Sequence, residues 1–193
     1  MNDLHNRIIE ISKKLNLSHL GSNLTSVDII DEIYSIKKEN APFILSCGHA
    51  GLALYVVIEK YFGIDAECTF ENHGTHPERC ESCKLDCSTG SLGHGLSIAV
   101  GMALADRTRD VYCLISDGEC YEGSVWEAAN VVAKYKVTNL KIYLNWNEWS
   151  AYDKVSTDVI TAVLLLFPHK IKLVHTCVED YGLKGLSAHY VKL

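Results

Sequence analysis

Apolar residues recur along this chain at two different spacings. Between residues 2 and 16 they fall on one stripe of a helix, at Leu4, Ile8, Ile11 and Leu15. Residues 111–115 and 141–144 instead form short continuous apolar runs, which are typical of buried parallel strands. Because segments of the two kinds alternate, the sequence predicts an α/β fold with three layers, in which helices cover both faces of a mainly parallel sheet.

The remaining elements follow from the same patterns. Strands are predicted at residues 43–46, 111–115, 141–144 and 171–174. Helices are predicted at residues 2–16, 27–36, 50–61, 124–135 and 159–167, and a further helix opens at the glycine-rich segment GSLGHG. Ser26 is expected to cap the helix at 27–36. Residues 64–89 have no apolar periodicity, are rich in Cys and also contain His, Gly and Pro, so they are predicted to form a long functional or cross-linked loop.

Composition and charge narrow the class of protein. The 193 residues, 48% hydrophobic and 22% charged, predict one globular domain spanning residues 1–193. The net charge is −6 and the Lys and Arg residues are dispersed, so no nucleic-acid partner is expected. No apolar stretch approaches the roughly 20 residues of a membrane-spanning helix, and the N-terminus lacks the pattern of a secretory signal. A cytoplasmic location is therefore expected.

Polar residues follow two of the predicted strands. Asp117 follows the run at 111–115 after one residue, and Asn147 lies 30 positions later, after the run at 141–144. The carboxyl ends of parallel strands meet at one edge of a sheet, where ligands bind. Carboxylate and amide oxygens suit Mg²⁺ or Ca²⁺ bridged to a diphosphate, and the segment STGSLGHG adds backbone N–H groups for phosphate oxygens. The structural alternative is that SDGE is only a tight turn and GSLGHG only a helix entry.

These segments occur in the order found in a known family. The chain resembles the diphosphate-binding domain of transketolases, which are thiamine diphosphate enzymes, and especially of those split into two polypeptides. The family's GDG and distant Asn are present as Ser116, Asp117, Gly118 and Asn147, with serine in place of the first glycine. Further matching blocks are SCGHAGLALY, GTHPE, STGSLGHGLSIAVGMALA, DGECYEGSVWEAA and NWN.

The resemblance implies a role for each matching residue. Mg²⁺ would be ligated by Asp117, Asn147 and the carbonyl oxygen of Trp149. Thiamine diphosphate would contact His49, Gly90, Leu92, Gly118 and Asn147. Four histidines would face the reacting groups and exchange protons with sugar hydroxyls near neutral pH: His19, His49, His76 and His189. Glu122 and Glu127 match glutamates at the family's subunit interface; alternatively, they are charges favoured by a helix N-terminus.

The resemblance also implies a partner. In the family, the glutamate that activates the aminopyrimidine ring and the arginines that grip the substrate phosphate belong to a second domain, and this sequence has no segment that resembles it. We therefore expect the chain to be inactive alone and to work with a separate pyrimidine-binding transketolase subunit in an α₂β₂ heterotetramer. Thiamine diphosphate would lie between the chains.

The implied function belongs to carbohydrate metabolism. It is the transfer of a two-carbon ketol unit from a ketose, or a ketose phosphate, to an aldose acceptor. The substrate is either a sugar phosphate of central metabolism or an unusual sugar of a biosynthetic pathway. Two alternatives stay open: a noncatalytic, zinc-stabilised scaffold or regulatory subunit that kept the fold, and an acyloin-forming synthase of the same superfamily, such as 1-deoxyxylulose-5-phosphate synthase.

Eight cysteines are many for a chain without an export signal. Four of them lie within one short segment and offer the thiolates of a closed structural zinc site: Cys68, Cys80, Cys83 and Cys87. The alternative is that Cys68 and Cys87 are small buried apolar residues. The other four are predicted to be core residues in or beside strands: Cys47, Cys113, Cys120 and Cys177.

Overall fold

Four parallel strands form one sheet in the computed structural model, which describes residues 1–167 and 171–193. The strands are β1 (Phe43–Leu45), β2 (Val111–Ser116), β3 (Leu140–Trp146) and β4 (Ile171–His175), and they lie in the order β1-β2-β3-β4. Every residue of β1 and β2 is buried, as continuous apolar runs require. Each strand lies within two residues of its predicted bounds.

Helices lie on both faces of this sheet. They are α1 (Asp3–Leu15), α2 (Leu20–Ile36), α3 (Gly51–Phe62), α4 (Ala66–His73), α5 (His94–Ala105), α6 (Gly123–Lys134), α7 (Thr157–Leu166) and α8 (Ser187–Tyr190). In the part of the chain that the structure describes, none of them is long and apolar enough to cross a membrane.

Alternate strand residues enter two separate cores. Tyr112 and Leu114 pack in one core with residues of α1, α2 and α3. Cys113 and Ile115 point the other way, into a core with residues of α5, α6 and α7. This alternation follows from the period of two in an extended strand. It confirms the three-layer αβα architecture that the sequence predicts.

The second helix begins earlier than predicted. α2 starts at Leu20, so Ser26 is a buried residue inside the helix and the prediction that it caps the helix was wrong. The polar residues near Ser26 in α2 are also buried, because they form hydrogen bonds with other elements of the fold. Asn23 Oδ1 accepts a hydrogen bond from the Ala53 N–H at 2.9 Å, and Asn145 Nδ2 donates to Thr25 Oγ1 at 3.0 Å and to Ser26 Oγ at 3.2 Å.

The stretch predicted to be entirely loop contains a helix. α4 begins after Asp65, whose side chain caps it by accepting a hydrogen bond from the Cys68 N–H at 2.7 Å. The prediction of a loop was therefore wrong for the eight residues Ala66–His73, which are helical. Most of the residues between α4 and the glycine-rich turn before α5 form a loop. This loop includes the Cys-rich segment at residues 80–87.

A close approach at Gly95 places the glycine-rich turn at the end of β1. A Cβ atom on Gly95 would lie 2.5 Å from Ser46 Cα, nearer than such atoms can come. Only a glycine in the first turn of α5 allows the helix to contact the residue after β1. The segment STGSLGHG is thereby held at the carboxyl edge of the sheet.

Candidate active site

A cavity of about 590 Å³ opens at the carboxyl ends of β2 and β3. This is the edge where open parallel sheets bind ligands. Its lining brings together residues from distant parts of the sequence to which the resemblance assigns a role: His19, His49, His76, Gly90, Leu92, Asp117, Gly118, Glu122, Asn147, Trp149 and His189.

Asp117 is almost completely buried at the end of β2. Its Oδ1 accepts a hydrogen bond from the Gly118 N–H at 2.8 Å, and its Oδ2 accepts one from the Glu148 N–H at 2.7 Å. Burial raises the pKa of Asp117 to about 7, against the opposing effect of these backbone donors. The donors are neutral, so a bound cation would supply the positive charge that these contacts lack.

The loop after β3 folds over Asp117. Asn147 Oδ1 accepts a hydrogen bond from the Trp149 N–H at 3.0 Å. Between them, Glu148 has a φ of 72°, a left-handed backbone conformation that is uncommon outside glycine. This sharp turn brings the Glu148 N–H to Asp117, so the buried carboxylate and the residues predicted to share its cation belong to one hydrogen-bonded unit.

Three imidazole rings form a triangle in the cavity wall. The ring centroids of His19 and His49 are 5.5 Å apart, those of His49 and His189 are 6.2 Å apart, and those of His19 and His189 are 6.4 Å apart. Desolvation, with the neighbouring imidazoles, lowers the pKa of His49 to about 3 and also lowers the pKa of His19. Burial likewise lowers the pKa of His189. All three rings are therefore neutral near pH 7, with a donor and an acceptor nitrogen each.

His76 packs against the glycine-rich turn. A Cβ atom on Gly90 would lie 3.2 Å from two atoms of the His76 ring, and Gly90 has a φ of 157°. A side chain at position 90 would be strained in that conformation and would crowd the ring. Gly90 thus allows His76 to lie beside the segment predicted to hold phosphate oxygens.

Glu119 is a buried carboxylate that the sequence analysis did not single out. It accepts hydrogen bonds from Ser46 Oγ at 2.5 Å, from the Gly93 N–H at 2.8 Å and from the Ser116 N–H at 2.8 Å. It therefore joins the residue after β1, the glycine-rich turn and the end of β2. Its position directly after Gly118 in SDGE was the available signal, but sequence spacing does not reveal that the side chain points inward.

The two predicted interface glutamates lie in different surroundings. Glu122 lines the cavity and precedes α6 as its N-cap. Glu127 lies on α6, is exposed and is not among the cavity residues. Their predicted role at a subunit interface stays a prediction.

The Cys-rich segment does not gather the four predicted thiolates into one group. In the part of the chain described, Cys80 and Cys83 lie close to His73 instead, with their ligand atoms all within 4.8 Å of one another, and neither Cys68 nor Cys87 belongs to this group. Cys68 is exposed and Cys87 is only partly buried, so the alternative that both are buried apolar residues was wrong.

Of the four predicted core cysteines, three are buried: Cys47, Cys113 and Cys120. The prediction was wrong for Cys177. It is only partly buried, because it follows the last strand and its Sγ faces Glu179 Oε2 at 2.9 Å.

Comparison with known proteins assigns the chain to a family. Residues 1–167 match the model for the N-terminal part of the family described as 1-deoxy-D-xylulose-5-phosphate synthase. The chain is 34% identical over 155 residues to the 6-deoxy-6-sulfo-D-fructose transketolase subunit of Clostridium sp. (strain MSTE9), covering 70% of this chain and 56% of that protein. It is 33% identical over 150 residues to an apulose-4-phosphate transketolase subunit of Actinobacillus succinogenes, covering 67% and 54%.

The same architecture occurs in a solved transketolase. The structure of transketolase from Campylobacter jejuni superimposes with a TM-score of 0.67 at 20% identity, over 91% of this chain and 38% of that one. The solved structure shows that the fold is shared. The family model, which matches most of the chain, and the relatives named as transketolase subunits show that the chain belongs to the transketolase family, as a member matched by the N-terminal model of 1-deoxy-D-xylulose-5-phosphate synthase. It spans about half the length of the two curated subunits that it matches.

Proposed function

We propose that this chain is the diphosphate-binding subunit of a split, thiamine diphosphate-dependent and Mg²⁺-dependent transketolase. In this proposal residues 1–193 form a single domain of an enzyme that transfers a two-carbon ketol unit from a ketose, or a ketose phosphate, to an aldose. The observation that supports it best is the buried Asp117, held by the loop of Asn147 and Trp149 at the same edge of the sheet as three neutral imidazoles.

The residues at this edge fit Mg²⁺ and a diphosphate. Asp117 offers a buried carboxylate, and Asn147 and the Trp149 carbonyl offer neutral oxygens, the donor types that Mg²⁺ takes when it also binds substrate phosphates. Gly90, Leu92 and the backbone of Gly118 line the same cavity and would contact the diphosphate. When bound, thiamine diphosphate would supply the nucleophilic carbon that breaks and forms the carbon–carbon bond.

The histidines would bind and orient the sugar. Because His19, His49 and His189 have lowered pKa values, each ring is neutral at pH 7 and can accept a proton at one nitrogen. His49 would act at the reacting centre beside the diphosphate, with His76 across the glycine-rich turn. His19 and His189 would line the substrate entrance, where His19 would bind sugar hydroxyls and His189 would hold the wall of the entrance through its contacts with Trp149 and Ser22.

A separate pyrimidine-binding subunit would complete the site. Three exposed tyrosines line the mouth of the cavity: Tyr121, Tyr152 and Tyr190. Exposed aromatic side chains around a functional cavity are typical of surfaces that other chains cover. Glu122 and Glu127 would lie at such an interface in an α₂β₂ assembly. Two relatives are each named as one subunit of a transketolase, which agrees with division of the enzyme between two chains.

The substrate class follows from the relatives by analogy. One is named for 6-deoxy-6-sulfo-D-fructose and one for apulose-4-phosphate, so sugars that carry a sulfonate or a phosphate group are the first donors to assay. The sugar phosphates of central metabolism are assayed as donors for comparison.

The proposal is tested by native mass spectrometry of the chain co-expressed with the product of the adjacent gene. The spectra are recorded with thiamine diphosphate and Mg²⁺ added or withheld. We expect a heteromeric complex that takes up thiamine diphosphate only when both chains and Mg²⁺ are present. Cofactor uptake by this chain alone would contradict the shared site, and absence of both complex and cofactor would favour a noncatalytic scaffold.

The family match supports one second candidate, an acyloin-forming synthase. Such an enzyme would release CO₂ from a 2-oxo acid while joining the remaining fragment to an aldehyde. The assembled complex separates the two reactions. Ketol transfer between sugars without CO₂ release supports the transketolase, and CO₂ release that depends on an aldehyde acceptor supports the synthase.

A further inference from the structure

A second candidate site lies outside the cavity, where α4 ends and the Cys-rich loop begins. We propose that His73, Cys80 and Cys83 bind a zinc ion, and that this ion positions the loop that carries His76. The proposal goes beyond the proposed function, because it assigns a metal site that the transfer reaction does not require.

The backbone around Cys80 and Cys83 forms a tight turn. The Cys80 N–H donates to the Leu85 carbonyl and the Leu85 N–H donates to the Cys80 carbonyl, both at 2.9 Å, so the two residues form an isolated antiparallel bridge. Lys84 closes the turn with a φ of 58°, a left-handed conformation that a lysine seldom adopts. The loop is therefore a closed hairpin that holds Cys80 and Cys83 near one point.

The distances between the donor atoms fit a tetrahedral ion. His73 Nε2 lies 3.4 Å from Cys83 Sγ, and the ligand atoms of His73, Cys80 and Cys83 all lie within 4.8 Å of one another. Zinc bonds of about 2.0 Å to nitrogen and about 2.3 Å to sulfur separate neighbouring ligand atoms by about 3.5 Å. The three donors thus need only small side-chain movements to share one ion.

The imidazole of His73 and the thiols of Cys80 and Cys83 are available to bind a metal. His73 Nδ1 is buried without a hydrogen-bond partner among the described residues, and Nε2 faces the Cys83 sulfur. Cys80 and Cys83 are free thiols. An imidazole aimed at two thiols in a loop, with no other polar partner on its ring among the described residues, is the arrangement that a thiolate and imidazole zinc site requires.

The fourth position faces solvent. His73, Cys80 and Cys83 are each only partly buried. Water can complete the tetrahedron there. Cys87 lies apart from the group, with its Sγ facing the Ser88 carbonyl at 3.3 Å.

Such an ion would act on the cavity through His76. His73 and Cys80 bracket residues 74–79, so a metal bound to both would close this short loop at its two ends. His76 lies within it and lines the cavity. Closing a loop lowers its conformational entropy, so the bound ion would restrict the positions of the His76 ring. His73, Cys80 and Cys83 would be positioning residues.

Metal content tests the proposal directly. The full chain is purified without chelator from zinc-supplemented cells and its zinc is measured by elemental analysis. We expect about one zinc per chain in the native protein, and loss of most of it in His73→Asn, Cys80→Ser and Cys83→Ser. Cys87→Ser and Cys177→Ser are the matched controls, and they should keep the metal. Circular dichroism checks that every variant is folded.

Cobalt substitution gives a second readout that needs no enzyme activity. Co²⁺ bound by the native chain should show the thiolate charge-transfer and d–d absorption bands of a tetrahedral site, and Cys80→Ser should weaken both. Absence of zinc from the native protein, full zinc in Cys83→Ser, or a Cys80–Cys83 disulfide would overturn the proposal. Because neither readout involves thiamine diphosphate, failure of this site and failure of the proposed function are distinguishable.

Discussion

His189 Nε2 lies 3.3 Å from the carbonyl oxygen of Trp149, so the C-terminal helix α8 contacts the loop that follows β3. On the other side of the ring, Nδ1 lies 3.2 Å from Ser22 Oγ on α2. Since a carbonyl oxygen only accepts hydrogen bonds, Nε2 carries the proton and Nδ1 accepts from the serine. One neutral imidazole therefore links α2, α8 and the loop proposed to hold the cation.

Acid should destabilise the protein through His49. Its pKa is lowered from about 6.5 to about 3 in the fold, so the unfolded chain binds the proton more readily. The stability contributed by the neutral ring is complete above pH 6.5 and is lost as the pH falls from 6.5 towards 3. Between pH 7 and pH 5 we expect the free energy of unfolding to fall by up to about 2 kcal/mol from this residue.

Urea denaturation at both pH values measures this loss. Asp117, whose pKa is raised to about 7, contributes stability in the opposite direction over this range, so the contribution of His49 is obtained by comparison with His49→Gln. Between pH 7 and pH 5 this variant should lose less stability, or gain more, than the native chain, because glutamine does not titrate. Asn130→Gln, an exposed substitution on α6 that changes no titratable group, should leave the difference as it is in the native chain. An unchanged pH dependence in His49→Gln would show that the ring is not held neutral.

Glu119→Gln should weaken the fold. Both carboxylate oxygens accept backbone N–H groups, from Gly93 and from Ser116, so an amide NH₂ in either place would face another donor. We expect a loss of about 2–4 kcal/mol in the free energy of unfolding, measured by urea denaturation. Glu127→Gln, at an exposed position on α6, should change it by less than about 0.5 kcal/mol. Equal effects would contradict the bridging role of Glu119.

Two glycines of one helix should respond in opposite directions to alanine. In Gly95→Ala the new Cβ would clash with Ser46, so we expect a loss of about 1–3 kcal/mol of stability. A Cβ on Gly101 has no atom within 4 Å, so Gly101→Ala should stabilise α5 by about 0.5–1 kcal/mol. Thermal denaturation compares them, and a neutral Gly95→Ala would mean that α5 does not depend on this close approach.

Sequence patterns predicted the sheet and the position of the site. Continuous apolar runs mark buried strands directly, and the spacing of Asp117 and Asn147 places both residues at the ends of neighbouring strands. The resemblance added His189, which the structure places in the cavity although its own short segment has little pattern. These features depend on local runs and on fixed motifs, which a sequence displays.

Contacts between distant polar residues were not predictable in this way. The first turns of α2 look like a loop in sequence, because Asn23 and Thr25 are polar; their partners, Ala53 and Asn145, are far along the chain. Glu119 was missed for the same reason. His73 was overlooked as a neighbour of Cys80 and Cys83, because the hairpin that brings the cysteines to it has no apolar periodicity.

The central claim is that the buried carboxylate of Asp117 binds the cation that holds the diphosphate. The most direct test is Mg²⁺-dependent uptake of thiamine diphosphate by the assembled complex, measured by native mass spectrometry for Asp117→Ala and for Asp110→Asn. Asp110 lies next to the opposite end of β2, beside Lys141, and is the matched control. We predict that Asp117→Ala assembles with its partner but takes up no cofactor, whereas Asp110→Asn takes it up normally. Normal uptake by Asp117→Ala would contradict the account.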